Sequence, residues 1–102
     1  MTRVRLFVYG SLKRGGLHHE ELAGAVCLGV VRTAPRYRVA AFGQYPALVA
    51  GNTAVTGELY ELASDALPAL DAFEGPGYRR ALVELSDGSE AAAYFLAEGA
   101  RA

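Results

Sequence analysis

"YRRALVELSDGSEAAAYFL", residues 78–96, decides the fold class. Two strand-like runs, Tyr78–Leu85 and Ser89–Leu96, flank Asp87-Gly88, a dipeptide that takes the positive φ of a tight hairpin turn at little cost. The C-terminal part is therefore expected to be antiparallel β. Working outward, Gly and Pro recur at short intervals between further strand-like segments at Arg3–Tyr9, Val26–Thr33, Tyr37–Phe42 and Thr53–Leu62. Without the helix-length spacing of βαβ units, this pattern predicts an α+β chain, a small, mostly antiparallel β-barrel of about six strands. Two short flanking helices are expected. One is His18–Ala23, ending at Gly24. The other is "SDALPALDAFEG", residues 64–75, with Ser64 as N-cap, Asp65 in the first turn and Gly75 as C-terminal cap. Pro68 is tolerated there because first-turn amides have no intrahelical acceptor.

The 102 residues suit one domain spanning 1–102, with 52% hydrophobic and 21% charged residues, as in an ordinary globular core. Ten basic and eleven acidic side chains give a net charge of −1, which lacks the basic footprint of a nucleic-acid or membrane-surface binder. A small-molecule partner is expected instead, with no nucleic acid and no membrane. Cys27 is alone, so neither a disulfide framework nor a Cys-rich zinc site is expected. The start "MTRVRLFVYG" lacks the apolar stretch of a signal peptide, and the longest apolar run, Ala91–Ala97, is too short to cross a bilayer. A cytoplasmic location follows as the expectation.

In the first strand Val4, Leu6 and Val8 share one face, and Arg3, Arg5, Phe7 and Tyr9 the other. This strand runs into Gly-Ser-Leu-Lys-Arg-Gly-Gly, residues 10–16. Gly10 and Gly15 have P-loop spacing, but Gly16 and Leu17 occupy the places of the Lys and Ser/Thr that hold phosphate and magnesium. Ser11 is not in a G-x-S-x-G elbow. What remains is a strand end whose glycine allows close backbone approach, with the Ser11 and Leu12 amides able to face an anion or oxyanion. The plainer reading is a tight turn with Lys13 and Arg14 solvated.

On the second helix, with Leu67 at zero and a 100° step, Leu70 falls at about 300°, Glu74 at about 340° and Asp71 at about 40°. Glu74 thus lies between two leucines on the face that should pack on the sheet, in the last turn where the dipole disfavours an anion. Burial there would raise its pKa from roughly 4.3 toward the range of a general base. Alternatively the turn frays and Glu74 pairs with Arg79 or Arg80. His18 and His19 diverge by about 100° on a helix and cannot ligate one metal together, so no metal is assigned. Cys27 reads as a small buried hydrophobe. The Tyr78 hydroxyl can reach Glu74 or a ligand, or sit on the barrel rim.

Four motifs, "FVYGSLKRG" from residue 7, "YPALV.G" at 45–51, "V.GELYEL" at 55–62 and "LDAFEG..Y.R" from 70, resemble in content and order those of the γ-glutamylcyclotransferase-like family. The likeness is greatest to compact bacterial members and to γ-glutamylamine cyclotransferase. It implies a barrel with a cavity at one mouth and a loop of Tyr9, Gly10, Ser11 and Leu12 that binds the γ-glutamyl group through backbone donors. Glu74 would be the catalytic acid/base and Tyr78 a residue near the substrate. The implied reaction closes the γ-glutamyl group of a γ-glutamyl-amine or γ-glutamyl amino acid to 5-oxoproline, releasing the amine without a cofactor. A second reading is a module that captures a small carboxylate ligand without turnover; a third is a plain structural barrel with Glu74 in solvent.

Overall fold

In the computed structural model, residues 2–9, 24–43 and 45–97 are described. They form β1 (Arg3–Val8), β2 (Val26–Arg32), β3 (Tyr37–Phe42), β4 (Tyr45–Ala50), β5 (Thr56–Ala63), a 3-10 turn (Ser64–Ala66), α1 (Leu67–Glu74), β6 (Tyr78–Glu84) and β7 (Glu90–Leu96). The expected helix at His18–Ala23 lies outside the described residues.

The hairpin anticipated from residues 78–96 is present, in register from Tyr78 opposite Leu96 to Glu84 opposite Glu90. Its turn is wider than two residues: the Leu85 N–H donates to the Ser89 carbonyl at 2.8 Å, and Gly88 takes a φ of 87°. A three-residue loop with glycine in the left-handed region is the next commonest hairpin solution. The Asp87 carboxylate accepts from the Ser89 amide at 2.9 Å and from its hydroxyl at 2.6 Å, which closes the turn and holds the Asp87 pKa below its ordinary value.

The sheet has seven strands, one more than expected. The addition is β4, hairpinned to β3 with Phe42 opposite Tyr45. Pro46 obscured it, because proline cannot donate to a ladder and argues against a central strand. The fold accommodates Pro46 because β4 meets β7 two residues later, at Leu48 opposite Phe95, and the Pro46 carbonyl accepts a bond from the Tyr78 hydroxyl.

Along the sheet the order is β2-β5-β1-β7-β4-β3, with β6 also on β7. Most pairs are antiparallel, but β1 and β4 each run parallel to β7, meeting it at Ala92 and Phe95 respectively. Since β6 occupies one edge of β7 along its length, β1 and β4 must share the other and diverge from it as a fork. Among the described residues the sheet does not close into the expected barrel. The ends of β2 and β6 touch at one place, where Thr33 bridges Leu85, the Ala34 amide donates to the Glu84 carbonyl and the Ser86 amide to the Arg32 carbonyl. Along the rest of these strands there is no pairing, because β2 bonds to β5 alone and β6 to β7 alone.

The alternation in β1 sorts as its sequence predicts. Phe7 enters a core with Leu48, Val55, Leu59, Val83, Ala93 and Phe95, whereas Leu6 and Val8 join Tyr60, Leu62, Leu70 and Tyr94 on the other side. α1 covers this second cluster through buried Leu70, with Leu67 and Phe73 packed beside it. Ser64 does not cap α1: the chain first makes the 3-10 turn, and no side chain caps either start. Gly75 does end the helix, with φ 82° and its amide on the Asp71 carbonyl at 3.1 Å.

Candidate active site

Among the described candidate residues, Tyr9 and Tyr78 both bond to backbone groups beside the fork on β7. Tyr9 follows the last residue of β1 and reaches between the two diverging strands: its hydroxyl accepts from the Leu48 amide of β4 at 2.8 Å and donates to the Tyr94 carbonyl of β7. A side chain thus satisfies two backbone groups that the diverging strands leave to it, as buried backbone groups require. Burial pushes the Tyr9 pKa well above the ordinary tyrosine range, with Tyr78 and Glu74 adding to the rise and the Leu48 amide opposing it. The hydroxyl therefore stays protonated near neutral pH.

Tyr78 opens β6 just after the helix cap, and its hydroxyl donates to the Pro46 carbonyl at 2.7 Å. Tyr94, on the β7 face under α1, donates its hydroxyl to Asp71 Oδ1 at 2.7 Å. Burial raises its pKa most, followed by the Asp71 hydrogen bond and charge; Arg80 lowers it and Glu74 raises it. Arg80 on β6 completes the arrangement, its Nη1 lying 3.1 Å from Asp71 Oδ1 and 3.0 Å from Oδ2.

Glu74 is the last residue of α1 and is half-buried. Its charge contributes to the raised pKa of both Tyr9 and Tyr94, so it lies within electrostatic reach of these two hydroxyls. The structure therefore brings together Tyr9, Glu74 and Tyr78, three of the six residues singled out by sequence. Gly10, Ser11 and Leu12 lie outside the described residues, as do His18 and His19. The anticipated pairing of Arg80 with Glu74 goes instead to Asp71, which the helical angles had already put on the same face. Tyr94 and Asp71 were not singled out. Cys27 is half-buried and packs against the cluster around Tyr60.

Chemically, the described site contains three tyrosine hydroxyls engaged with protein partners, an aspartate engaged by arginine and tyrosine, and a half-buried glutamate. A cleft of about 320 Å³ lies elsewhere, at the hairpin-turn end of the sheet, between Arg5, Val31, Arg32, Leu59, Leu85 and Asp87. It contains none of the residues at the fork. Among the described residues no three His, Cys, Asp or Glu side chains are grouped to hold a metal. No helix among them is long and apolar enough to cross a membrane.

Residues 6–101 match the family model described as gamma-glutamyl cyclotransferase, AIG2-like. The chain belongs to this family. It is similar to the γ-glutamylcyclotransferase family protein YtfP of Citrobacter rodentium, 38% identical over 90 residues that span 84% of this chain and 76% of that one. The γ-L-glutamyl-butirosin B γ-glutamyl cyclotransferase of Niallia circulans is 34% identical over 82 residues, 78% of this chain and 53% of that enzyme. Among solved structures, a uropathogenic E. coli-specific protein superposes with a TM-score of 0.85 at 28% identity, covering 99% of this chain and 87% of that one. Membership makes this chain a cyclotransferase-like enzyme.

Proposed function

We propose that the chain cyclises the γ-glutamyl group of a γ-glutamyl-amine or γ-glutamyl amino acid to 5-oxoproline, with Glu74 as general acid/base. The observation that carries this reading is the place of Glu74, half-buried at the end of α1 and within electrostatic reach of Tyr9 and Tyr94. The Tyr9 and Tyr94 hydroxyls are hydrogen-bonded to protein partners and held protonated, and Asp71 is gripped by Arg80. Glu74 is the carboxylate beside them that the family motif "LDAFEG..Y.R" would assign to proton transfer. General acid/base groups need such a position on a rigid element, and the end of α1 provides it.

In the proposed reaction the Glu74 carboxylate takes a proton from the substrate α-amine as its nitrogen attacks the γ-carbonyl carbon. The tetrahedral intermediate collapses by breaking the bond from that carbon to the departing nitrogen, to which Glu74 returns the proton. The products are 5-oxoproline and the free amine, so atoms balance without a cofactor or enzyme nucleophile. Nucleophile and leaving group belong to one molecule, so the protein's task is to hold that molecule folded; positioning of this kind supplies about 7 to 11 kcal/mol in favourable models. Proton transfer adds about 10²- to 10⁴-fold. We assign the grip on the γ-glutamyl group to the backbone donors of Gly10, Ser11 and Leu12, beside Tyr9 and Tyr78, and place the reaction in the cytoplasm.

The test is a panel of γ-glutamyl-amines and γ-glutamyl amino acids assayed for 5-oxoproline, with wild type and Glu74→Gln in parallel. Turnover in the wild type that falls by at least about 10²-fold in the variant, with ligand affinity kept, is the expected result. Undiminished turnover in Glu74→Gln would remove the assigned role, and affinity without turnover in the wild type would make the protein a binding module.

A further inference from the structure

Asp71 and Glu74 lie three residues apart on α1, within about 60° of each other around its axis. Side chains at this spacing are neighbours, so two carboxylates stand side by side at the C-terminal end of a helix, where the macrodipole already disfavours negative charge. No basic residue lies in the last turn of α1 to offset them. The compensation comes from the sheet: Arg80 on β6 contacts both Asp71 oxygens, and the Tyr94 hydroxyl on β7 donates to one of them. Both α1 carboxylates and Arg80 are also felt at Tyr94. Among the described residues, the groups tied to Glu74 or Asp71 by hydrogen bond or charge include Tyr9 at the end of β1, Arg80 on β6 and Tyr94 on β7, with Tyr78 on β6 acting on Tyr9.

We propose that Arg80 is a positioning residue for Glu74: by engaging both oxygens of Asp71 it fastens α1 to β6 and β7 and cancels the charge that Asp71 would otherwise present to its neighbour. This inference rests on the acid/base reading of Glu74 for its catalytic meaning, but the electrostatic relation holds in the folded protein whether or not turnover occurs. One nitrogen, Nη1, makes both contacts, so a cation that supplies its charge at a single point, as lysine does, can serve the same electrostatic purpose.

The test is a ¹³C NMR titration of the glutamate side-chain carboxyls in the full chain, with the Glu74 signal assigned through Glu74→Gln. In Arg80→Met the Asp71 charge is uncovered about 5 to 6 Å from Glu74, and the Glu74 midpoint should rise by about half a unit to one unit. Two further changes should bring it back: Asp71→Asn in the Arg80→Met background, by removing the uncovered charge, and Arg80→Lys, by restoring a cation. If Arg80→Met does not fold, Asp71→Asn alone keeps the test alive, since an uncompensated Arg80 should then lower the Glu74 midpoint. Where substrate is turned over, the acidic limb of the kcat/KM profile should move with the NMR midpoint. A purely structural role would reduce stability and leave the midpoint in place; that outcome overturns the proposal. Absence of 5-oxoproline from the wild type bears on the function of Glu74, not on this coupling, so the two failures are distinguishable.

Discussion

Replacing Tyr9 by Phe removes one oxygen from the centre of the fork and leaves the ring. That oxygen joins the Leu48 amide of β4 to the Tyr94 carbonyl of β7, and Leu48 has 0% of its surface exposed. The ring still separates the strands at this point, so the amide and carbonyl cannot close on each other and each loses its partner. A buried backbone group stripped of its bond costs at least about 1 kcal/mol, so the two together should cost at least about 2 kcal/mol. The tilted Phe7–Tyr9 ring contact, with centroids 6.2 Å apart, is retained, so packing contributes little to the loss. For a domain of this size the midpoint of thermal unfolding should fall by at least roughly 10 °C. Far-UV circular dichroism during heating and in urea measures the loss, and amide hydrogen exchange locates it: the Leu48 amide should lose more protection than the remaining β7 amides. A stability change below about 0.5 kcal/mol with Leu48 protection intact would show that the hydroxyl is not what satisfies these groups, and the account of the fork would fail.

Gly57→Ala tests the close approach of β5 to β1. An added Cβ would stand 2.3 Å from the Val8 carbonyl oxygen and 2.7 Å from Phe7 Cζ, and the first of these is backbone that cannot turn aside. A loss of about 1 to 3 kcal/mol in urea unfolding is expected, and an unchanged midpoint would contradict the packing described. The tyrosines predict the alkaline limit of stability. Burial raises the Tyr9 and Tyr94 hydroxyls beyond the ordinary range, and burial with the Glu58 hydrogen bond takes Tyr60 to about 12. Unfolded tyrosine ionises near about pH 10, so above that pH the unfolded chain holds fewer protons than the native one. The stability these groups confer is complete below about pH 10 and is lost as pH rises through the native values. The urea midpoint should therefore fall between roughly pH 9.5 and 11.5; a flat midpoint across that window would refute the shifts.

Much of the architecture follows from local patterns in the chain. β1 alternates cleanly, and its two faces feed the two cores; Asp87 and Gly88 make a hairpin turn, and Gly75 stops α1. Glu74 stood out because a carboxylate among leucines violates the helical pattern, and the same angles had already placed Asp71 beside it. β4 escaped notice because a proline at its second position outweighs the Ala-Leu-Val that follows, and nothing local reports that β7 is met only from Leu48 onward. Closure likewise depends on long-range registers, which periodicity does not encode; contact between β2 and β6 at one end is compatible with the strand count of a barrel and of an open sheet alike. Ser64 had the right chemistry for a cap but the wrong place, since the chain takes a 3-10 turn before the helix begins.

The fork explains why tyrosines gather where the chemistry is proposed. Two strands that share one edge of β7 and then diverge must leave amides and carbonyls in the gap, and water cannot serve groups packed against a core. Aromatic side chains long enough to cross the gap, each ending in one hydroxyl, meet that need: Tyr9 serves Leu48 and Tyr94, and Tyr78 serves Pro46. Burial also keeps the Tyr9 hydroxyl protonated near neutral pH. On the proposed reading Glu74 is the proton-transfer group carried by α1, and Arg80 and Tyr94 engage Asp71 one turn before it. On that reading, the residues that repair the sheet also border the place where the substrate is held. This is why removing the Tyr9 hydroxyl is expected to appear first in stability, whereas removing the Glu74 carboxylate is expected to appear first in turnover.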